Sequence, residues 1–165
     1  MSKKISVLFV CSGNFFRSQI AEYYLKKYVR EHKLDWLEVA SAGTIARKLK
    51  DKFGAHKELR KDKVYLSQYR QKRLTKERLA KADFVVAMAQ NHYDFILKKY
   101  KQTPFLFNEL AIGKKTSVAD LKEVMPDFHK HKEKALEYID EVALYIEKKT
   151  PLLVKELSKR TKQKR

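Results

Sequence analysis

Cysteine, proline and glycine are all scarce in this sequence, which has one, three and four of them among its 165 residues. A single cysteine excludes a disulfide within the chain, so a reducing compartment, the cytoplasm, is the expected location. No apolar run approaches the length of a membrane span, and Met1–Ser2–Lys3–Lys4 lacks the pattern of a signal peptide. Secretion by a specialised system stays open as an alternative, because such systems need no signal peptide.

Acidic residues are outnumbered, with 20 of them against 38 lysines and arginines, and the formal net charge is +18. The basic residues are concentrated in 48–72 and 155–165 and do not form one compact patch. Such a charge attracts anionic substrates and promotes weak binding to polyanions such as nucleic acid. No nucleic-acid-binding motif accompanies it, so a solvated basic surface is the simpler interpretation, and weak polyanion binding is kept as an alternative.

The single cysteine stands between an apolar strand and a helix. The run Ile5–Val10 is typical of a buried strand, and apolar residues recur at helical spacing from Ile20 onward. We call the connecting segment, Cys11–Ser18, the anion loop. A loop that leads into a helix points backbone N–H groups and the positive end of the helix dipole at an anion, and this field favours a thiolate at cysteine.

The other residues of the anion loop fit the capture of a phosphate-sized anion. Arg17 offers a planar charged group for two phosphate oxygens, and Ser18 can donate a hydrogen bond to the sulfur. Gly13 permits a positive φ or a close backbone approach, while Asn14 tolerates the left-handed region. The residues predicted to bind substrate are Ser12, Gly13, Asn14, Phe15, Phe16 and Ser18.

The spacing Cys11–x5–Arg17–Ser18 after a strand resembles the low-molecular-weight protein tyrosine phosphatase family, which includes protein arginine phosphatases and one class of arsenate reductases. The resemblance implies a hydrolase that needs no metal or cofactor, with Cys11 and Arg17 as catalytic residues and a cysteinyl-phosphate intermediate. Its substrate is then a phosphorylated protein, carrying phosphotyrosine or a similar aryl phosphate. The resemblance also assigns Ser41 to bracing Asn14. A buried structural cysteine is the alternative reading of Cys11.

A cysteine nucleophile needs a proton donor for the departing oxygen. The family uses an aspartate followed by proline, and the resemblance assigns this catalytic role to Asp127, which follows Pro126 but precedes Phe128. An N-cap role at the next helix is the alternative for Asp127, and the two roles are compatible. His129 and His131 have no acidic or thiol partner at ligand spacing, so no metal site is predicted.

Other departures from the family pattern separate the alternatives for function. The lack of further cysteines excludes the internal relay of arsenate reductases, and Phe16 stands where phosphatases often have a second cysteine. The resemblance implies threonine in arginine phosphatases where this chain has Phe15, whose bulk favours a flat phenyl ring. A protein arginine phosphatase remains an alternative. So does a catalytically impaired phosphate- or phosphoprotein-binding member, because Tyr69, Ala89 and Phe128 depart from the pattern.

Strand and helix patterns alternate along the remaining chain, which predicts an α/β three-layer sandwich with a central four-stranded parallel sheet and helices on both faces. Residues 1–157 are expected to form one catalytic domain and 158–165 a frayed basic tail. Pro151 is expected to interrupt the last long helix, and Arg47 and Lys48 are expected in a cleft wall that favours acidic neighbours of the phosphate. The other predicted strands are Trp36–Ala40, Asp83–Met88 and Pro104–Phe107, and two intervening helices are Lys76–Lys81 and Gln90–Tyr100.

Overall fold

The computed structural model describes residues 3–46 and 70–163, which form a four-stranded parallel sheet with helices on both faces. Its strands are β1 (Ile5–Cys11), β2 (Leu37–Gly43), β3 (Phe84–Ala87) and β4 (Phe105–Leu106). Its helices are α1 (Arg17–Glu31), α2 (Lys76–Lys81), α3 (Gln90–Tyr100), α4 (Phe107–Ile112), α5 (Leu121–Val124) and α6 (Lys132–Gln163), with a 3-10 helix at Phe128–Lys130. The strand order β2–β1–β3–β4 confirms the predicted fold class. Arg47, Lys48 and Tyr69 lie outside the described residues.

Alternate residues of β1 belong to two separate apolar cores, because successive side chains of a strand point to opposite faces of the sheet. Val7, Phe9 and Cys11 belong to the larger core, which also contains buried residues of α1, α4 and α6. Leu8 and Val10 belong to the smaller core, to which α2 and α3 contribute. The sheet is therefore covered on both faces, as parallel sheets require.

The carboxyl end of β1 is flanked on both sides by parallel neighbours. In the register, Cys11 pairs with Gly43 of β2, and Val10 pairs with Ala87 of β3. The backbone N–H of Met88 donates to the Val10 carbonyl at 2.9 Å. The segments that follow β2 and β3 therefore leave the sheet beside the anion loop, where ligands bind in open parallel sheets.

Short helices start and stop at recognisable caps. Thr75 accepts a hydrogen bond from the Arg78 backbone N–H at 3.2 Å and caps α2, as its position before Lys76–Lys81 predicts. Phe107 begins α4 and does not end β4, which was not expected from the sequence. There the Glu109 carboxylate accepts the Leu106 N–H at 3.1 Å, and Gly113 ends the helix with a φ of 70°.

The prediction that Pro151 interrupts the last helix is wrong, because α6 continues through it to Gln163. Pro151 lacks an N–H and costs about 3 kcal/mol inside a helix. The turns that follow bury Leu153 and Leu157 completely, and this apolar contact offsets the lost hydrogen bond. Residues 158–163 are thus helical and not a frayed tail. Although α6 has 32 residues, no helix in the described ranges is long and apolar enough to cross a membrane.

Candidate active site

Cys11 ends β1 with its side chain buried where the anion loop begins. Its Sγ lies 2.9 Å from Ser18 Oγ in the first turn of α1, and either atom can be the donor. A hydroxyl that donates to sulfur stabilises a thiolate, as does the N-terminus of a helix. The contact predicted between Ser18 and the sulfur is therefore present.

Asn14 braces the anion loop from inside. It is buried and has a φ of 50°, so it takes the left-handed conformation that its side chain tolerates. Its Nδ2 donates to Ser18 Oγ at 3.0 Å and to Ser41 Oγ at 2.8 Å. Its Oδ1 accepts the Lys72 backbone N–H at 2.7 Å. The predicted hydrogen bond between Ser41 and Asn14 is present, and the loop is also tied to the segment before α2.

A buried carboxylate extends this bracing from the loop to α1. Ser41 Oγ donates to Glu22, whose side chain is only 5% exposed. The ammonium groups of Lys26 and Lys72 flank Glu22, with Lys72 Nζ at 3.7 Å. Since a buried charge is costly without partners, these lysines stabilise the carboxylate where Ser41 needs an acceptor.

The glycine that the anion loop requires is Gly43, at the end of β2. At Gly43 a Cβ would lie 2.5 Å from the Ser12 carbonyl oxygen and 2.7 Å from the Asn14 backbone nitrogen. At Gly13 it would meet only ordinary contacts, the nearest at 3.9 Å, and the φ of Gly13 is not positive. The positive φ considered for Gly13 is therefore not found, whereas its predicted contact with substrate stays a prediction. Asn14 takes the positive φ, and Gly43 allows the close approach.

Gly43→Ala is expected to weaken the binding of inorganic phosphate by about tenfold or more, because the methyl group would displace several loop N–H donors together. Calorimetric titration with phosphate measures the change. Gly113→Ala is the matched control, since Gly113 has a φ of 70° and no neighbour within 4 Å of a Cβ. It should cost about 1 kcal/mol of stability and leave phosphate affinity unchanged. If both variants lost the same phosphate affinity, the cause would be reduced stability and not displaced N–H donors of the loop.

Arg17 is the first residue of α1 and is 2% exposed. Its Nη1 donates to the Val118 carbonyl at 2.8 Å, and its Nη2 lies 3.6 Å from Asp120 Oδ1. The guanidinium is thus held between the anion loop and the segment that follows α4. The Asp120 carboxylate therefore lies next to Arg17. This residue was not identified from the sequence.

The segment around Asp120 is anchored to the sheet and to α6. The Val118 N–H donates to the Met88 carbonyl at 2.8 Å, just beyond β3. Tyr138 Oη, from α6, donates to the Ala119 carbonyl at 2.7 Å. The Asp120 side chain remains 34% exposed, so its carboxylate is fixed near the loop and reachable from solvent. No adjacent proline marks Asp120; only its position between β4 and the last helix could have indicated it.

Asp127 lies elsewhere, immediately before the 3-10 helix. Its side chain is 55% exposed, and its Oδ2 lies 3.2 Å from His131 Nε2. Within residues 3–46 and 70–163, no hydrogen bond or ion pair joins Asp127 to the anion loop. It occupies the N-cap position, although its side chain accepts no capping hydrogen bond. Its neighbour Phe128 packs against the core that contains Cys11. The catalytic role assigned to Asp127 stays a prediction.

His92, in the first turn of α3, is a buried residue of the site that the sequence did not reveal. Its Nδ1 accepts the Ala89 backbone N–H at 3.1 Å, and its Nε2 lies 2.8 Å from Ser12 Oγ. The Nε2 atom is also 3.5 Å from Arg17 Nη2. Burial, together with the nearby positive charge of Arg17, lowers the pKa of His92 to about 3. The ring is therefore neutral at physiological pH.

The two phenylalanines of the loop differ in exposure. Phe16 is buried in the larger core, whereas Phe15 keeps part of its surface exposed. Gln71 Nε2 donates to the Gly13 carbonyl at 2.6 Å, which adds a second tie to the segment before α2.

In the part of the chain that the structure describes, no three His, Cys, Asp or Glu side chains are grouped so as to hold a metal ion.

Curated relatives with sequence similarity include two enzymes of different name. The chain is 31% identical over 117 residues to a protein-arginine-phosphatase from Geobacillus stearothermophilus, covering 69% of this chain and 76% of that protein. It is 38% identical over 94 residues to an arsenate reductase from Oceanobacillus iheyensis, covering 57% of this chain and 63% of that protein. The two names agree on neither substrate nor reaction.

Solved structures with the same fold include an arginine phosphatase and a protein tyrosine phosphatase. The arginine phosphatase of Geobacillus stearothermophilus superposes with a TM-score of 0.73 at 26% identity, covering 96% of each chain. A low molecular weight protein tyrosine phosphatase from T. tengcongensis superposes with a TM-score of 0.75 at 28% identity, covering 93% of this chain and 99% of that one. The model of the family described as low molecular weight phosphotyrosine protein phosphatase matches residues 6–163. With this match over nearly its whole length and the anion loop at its sheet edge, the chain belongs to the low molecular weight phosphotyrosine protein phosphatase family.

Proposed function

We propose that this protein hydrolyses phosphotyrosine in protein substrates through a cysteinyl-phosphate intermediate. One observation carries the proposal: a single loop holds a buried thiol, Cys11, at one end and a buried arginine, Arg17, near the other. The thiol contacts Ser18 Oγ at 2.9 Å, and the Asp120 carboxylate lies 3.6 Å from the arginine. The family match supports phosphatase activity, while the names of the relatives leave the substrate open.

In the first displacement, the Cys11 thiolate attacks phosphorus in line with the bond to the leaving oxygen. Sulfur forms a bond to phosphorus as the bond from phosphorus to the leaving oxygen breaks. Arg17 and the backbone N–H groups of residues 12–17 bind the equatorial oxygens, whose charge they stabilise in the transition state. The proton that neutralises the leaving phenoxide comes from a carboxylic acid.

We propose Asp120 as the donor of that proton and keep Asp127, predicted from the sequence, as the alternative. Asp120 lies against the loop arginine, whereas Asp127 is exposed and paired with His131.

In the second displacement, water attacks phosphorus and the bond from sulfur to phosphorus breaks. Asp120, ionised after the first step, accepts a proton from this water, so one carboxyl acts as acid and then as base. The products are inorganic phosphate and the regenerated Cys11 thiolate. Arg17 and the loop amides supply the positive charge in both steps, and the proposed mechanism uses no metal.

Phosphotyrosine is proposed as the substrate because of Phe15. A partly exposed phenylalanine beside the phosphate subsite offers a flat apolar surface for a phenyl ring. The family resemblance implies threonine at this position in arginine phosphatases. A phosphoarginine side chain brings a charged guanidinium to the same place, where Phe15 cannot donate or accept a hydrogen bond.

Phe15→Thr is expected to lower kcat/KM for a phosphotyrosine peptide by about 10- to 100-fold, because it removes the ring surface. The measurement compares phosphate release from matched phosphotyrosine and phosphoarginine peptides by wild type and variant. Phe15→Tyr keeps the ring and is the control, which should retain the preference for phosphotyrosine. A wild type faster on phosphoarginine, or an unchanged preference in Phe15→Thr, would contradict the assignment.

Phosphoarginine is the second candidate substrate, favoured by the similarity to the Geobacillus stearothermophilus protein named a protein-arginine-phosphatase. The loop chemistry is the same for both substrates, since Cys11 and Arg17 act on the phosphoryl group alone. The peptide comparison above therefore separates the two specificities without altering the catalytic assignments.

A further inference from the structure

His92 connects three parts of the candidate site although it is outside the anion loop. It is 1% exposed and lies in the first turn of α3, directly after β3. Its ring contacts the Ala89 backbone on one side and Ser12, the residue after the nucleophile, on the other. The Arg17 guanidinium lies beside the same ring nitrogen that contacts Ser12.

The hydrogen bonds define which ring nitrogen of His92 carries the proton. Because the Ala89 N–H donates to Nδ1 at 3.1 Å, Nδ1 is an acceptor. The pKa of about 3 keeps the ring neutral, so its one proton is on Nε2. Nε2–H therefore donates to Ser12 Oγ at 2.8 Å. The 3.5 Å approach of Arg17 joins two donors and is a packing contact, not a hydrogen bond.

A neutral ring suits this place next to Arg17. A protonated imidazole at this place would repel the guanidinium. The neutral imidazole instead fills the space beside Arg17 without adding charge. Because Ser12 Oγ accepts from His92, the Ser12 hydroxyl keeps its own proton for another acceptor.

We propose that His92 is a positioning residue for anion binding, which holds Ser12 through Nε2–H and packs the Arg17 guanidinium in place. The proposal deepens the proposed function, because it concerns the phosphate subsite of the same loop. It predicts that the Ser12 contact, not merely the presence of a side chain at position 92, sets the affinity for phosphate.

Two amide substitutions separate positioning from simple stability. In His92→Asn, the amide can occupy the place of Nδ1 and accept the Ala89 N–H, but it is too short to reach Ser12. In His92→Gln, the amide nitrogen can reach the place of Nε2, and glutamine at this helix position also accepts the N-cap N–H. The two variants thus share the cap and differ in the Ser12 contact.

The test is the affinity for inorganic phosphate, measured by calorimetry, together with kcat/KM and the unfolding midpoint. His92→Asn should bind phosphate about three- to tenfold more weakly, and His92→Gln should recover most of that loss, with similar midpoints. Ser12→Ala should weaken phosphate binding by a similar factor. A double variant with Ser12→Ala and His92→Asn should bind phosphate about as weakly as Ser12→Ala alone. Wild-type affinity in His92→Asn, or equal losses in both amide variants, would overturn the proposal.

The phosphate measurement is independent of turnover. A wild type that binds phosphate but hydrolyses neither peptide would contradict the proposed function, and a weaker His92→Asn would still support the positioning role. An active wild type with an unaffected His92→Asn would contradict only the positioning role. A wild type that does not bind phosphate would contradict both.

Discussion

Cys11→Ser is expected to abolish hydrolysis of p-nitrophenyl phosphate, lowering kcat by about 10⁴-fold or more. A serine hydroxyl stays protonated at this position, because its neighbour Ser18 Oγ is a hydroxyl and not a general base. The phosphate-binding groups, Arg17 and the loop amides, are untouched. Calorimetry should therefore show phosphate binding in the inactive variant.

The assay for Cys11→Ser is run with EDTA and without added metal, alongside wild type. Wild type that is quenched during turnover should carry a phosphate on Cys11, detected by mass spectrometry of the peptide, and the variant should carry none. Residual activity at the wild-type level would mean that another group is the nucleophile. An inactive wild type that binds phosphate would favour the non-catalytic alternative suggested by Tyr69, Ala89 and Phe128.

Asp120→Asn is expected to lower kcat by about 10²- to 10⁴-fold, because asparagine keeps the size of the side chain but has no proton to give. Asp127→Asn is the matched control, since the same chemical change at an exposed residue outside the loop should leave kcat nearly unchanged. The loss in Asp120→Asn should be larger with phenyl phosphate than with p-nitrophenyl phosphate, whose leaving group needs less protonation.

The paired variants decide between the two carboxylates. A large loss in Asp127→Asn with little change in Asp120→Asn would restore the assignment made from the sequence. A similar loss with both leaving groups would mean that Asp120 acts through its ion pair with Arg17 and not by giving a proton. The ratio of the two substrates therefore tests the chemistry of Asp120, and the comparison with Asp127 tests its identity.

The parts of the site that could be predicted from the sequence are local or follow from strand pairing. The apolar run Ile5–Val10 predicts a buried strand that stops at Cys11, and the motif predicts the anion loop. The crossover rule predicts that the end of β2 lies beside the anion loop, as the pairing of β1 with β2 shows. The hydrogen bond between Ser41 and Asn14, which is present, was implied by the family resemblance and not by strand pairing.

The parts that could not be predicted depend on contacts between distant segments. Ser12 and His92 are 80 residues apart, and Arg17 and Val118 are 101 residues apart. The chain has 20 acidic residues, and local pattern does not indicate which of them packs against Arg17. Pro126 made Asp127 the best match to the family motif. Asp120 lies beside Arg17 because contacts with Met88 and Tyr138 fix its segment there, and these contacts join residues far apart in the sequence.

The tight seating of the anion loop on Gly43 and its ties to Gln71 and Lys72 have a consequence for product release. These contacts order the loop before a ligand binds. The entropy cost of arranging its N–H donors is therefore part of folding and does not reduce the free energy of phosphate binding. Inorganic phosphate presents the same oxygens to these donors as the phosphoryl group of a substrate. We therefore expect the loop to bind the phosphate that the proposed reaction releases, and added inorganic phosphate to inhibit that reaction. Discrimination between substrates must then come from groups beyond the loop backbone, with Phe15 foremost.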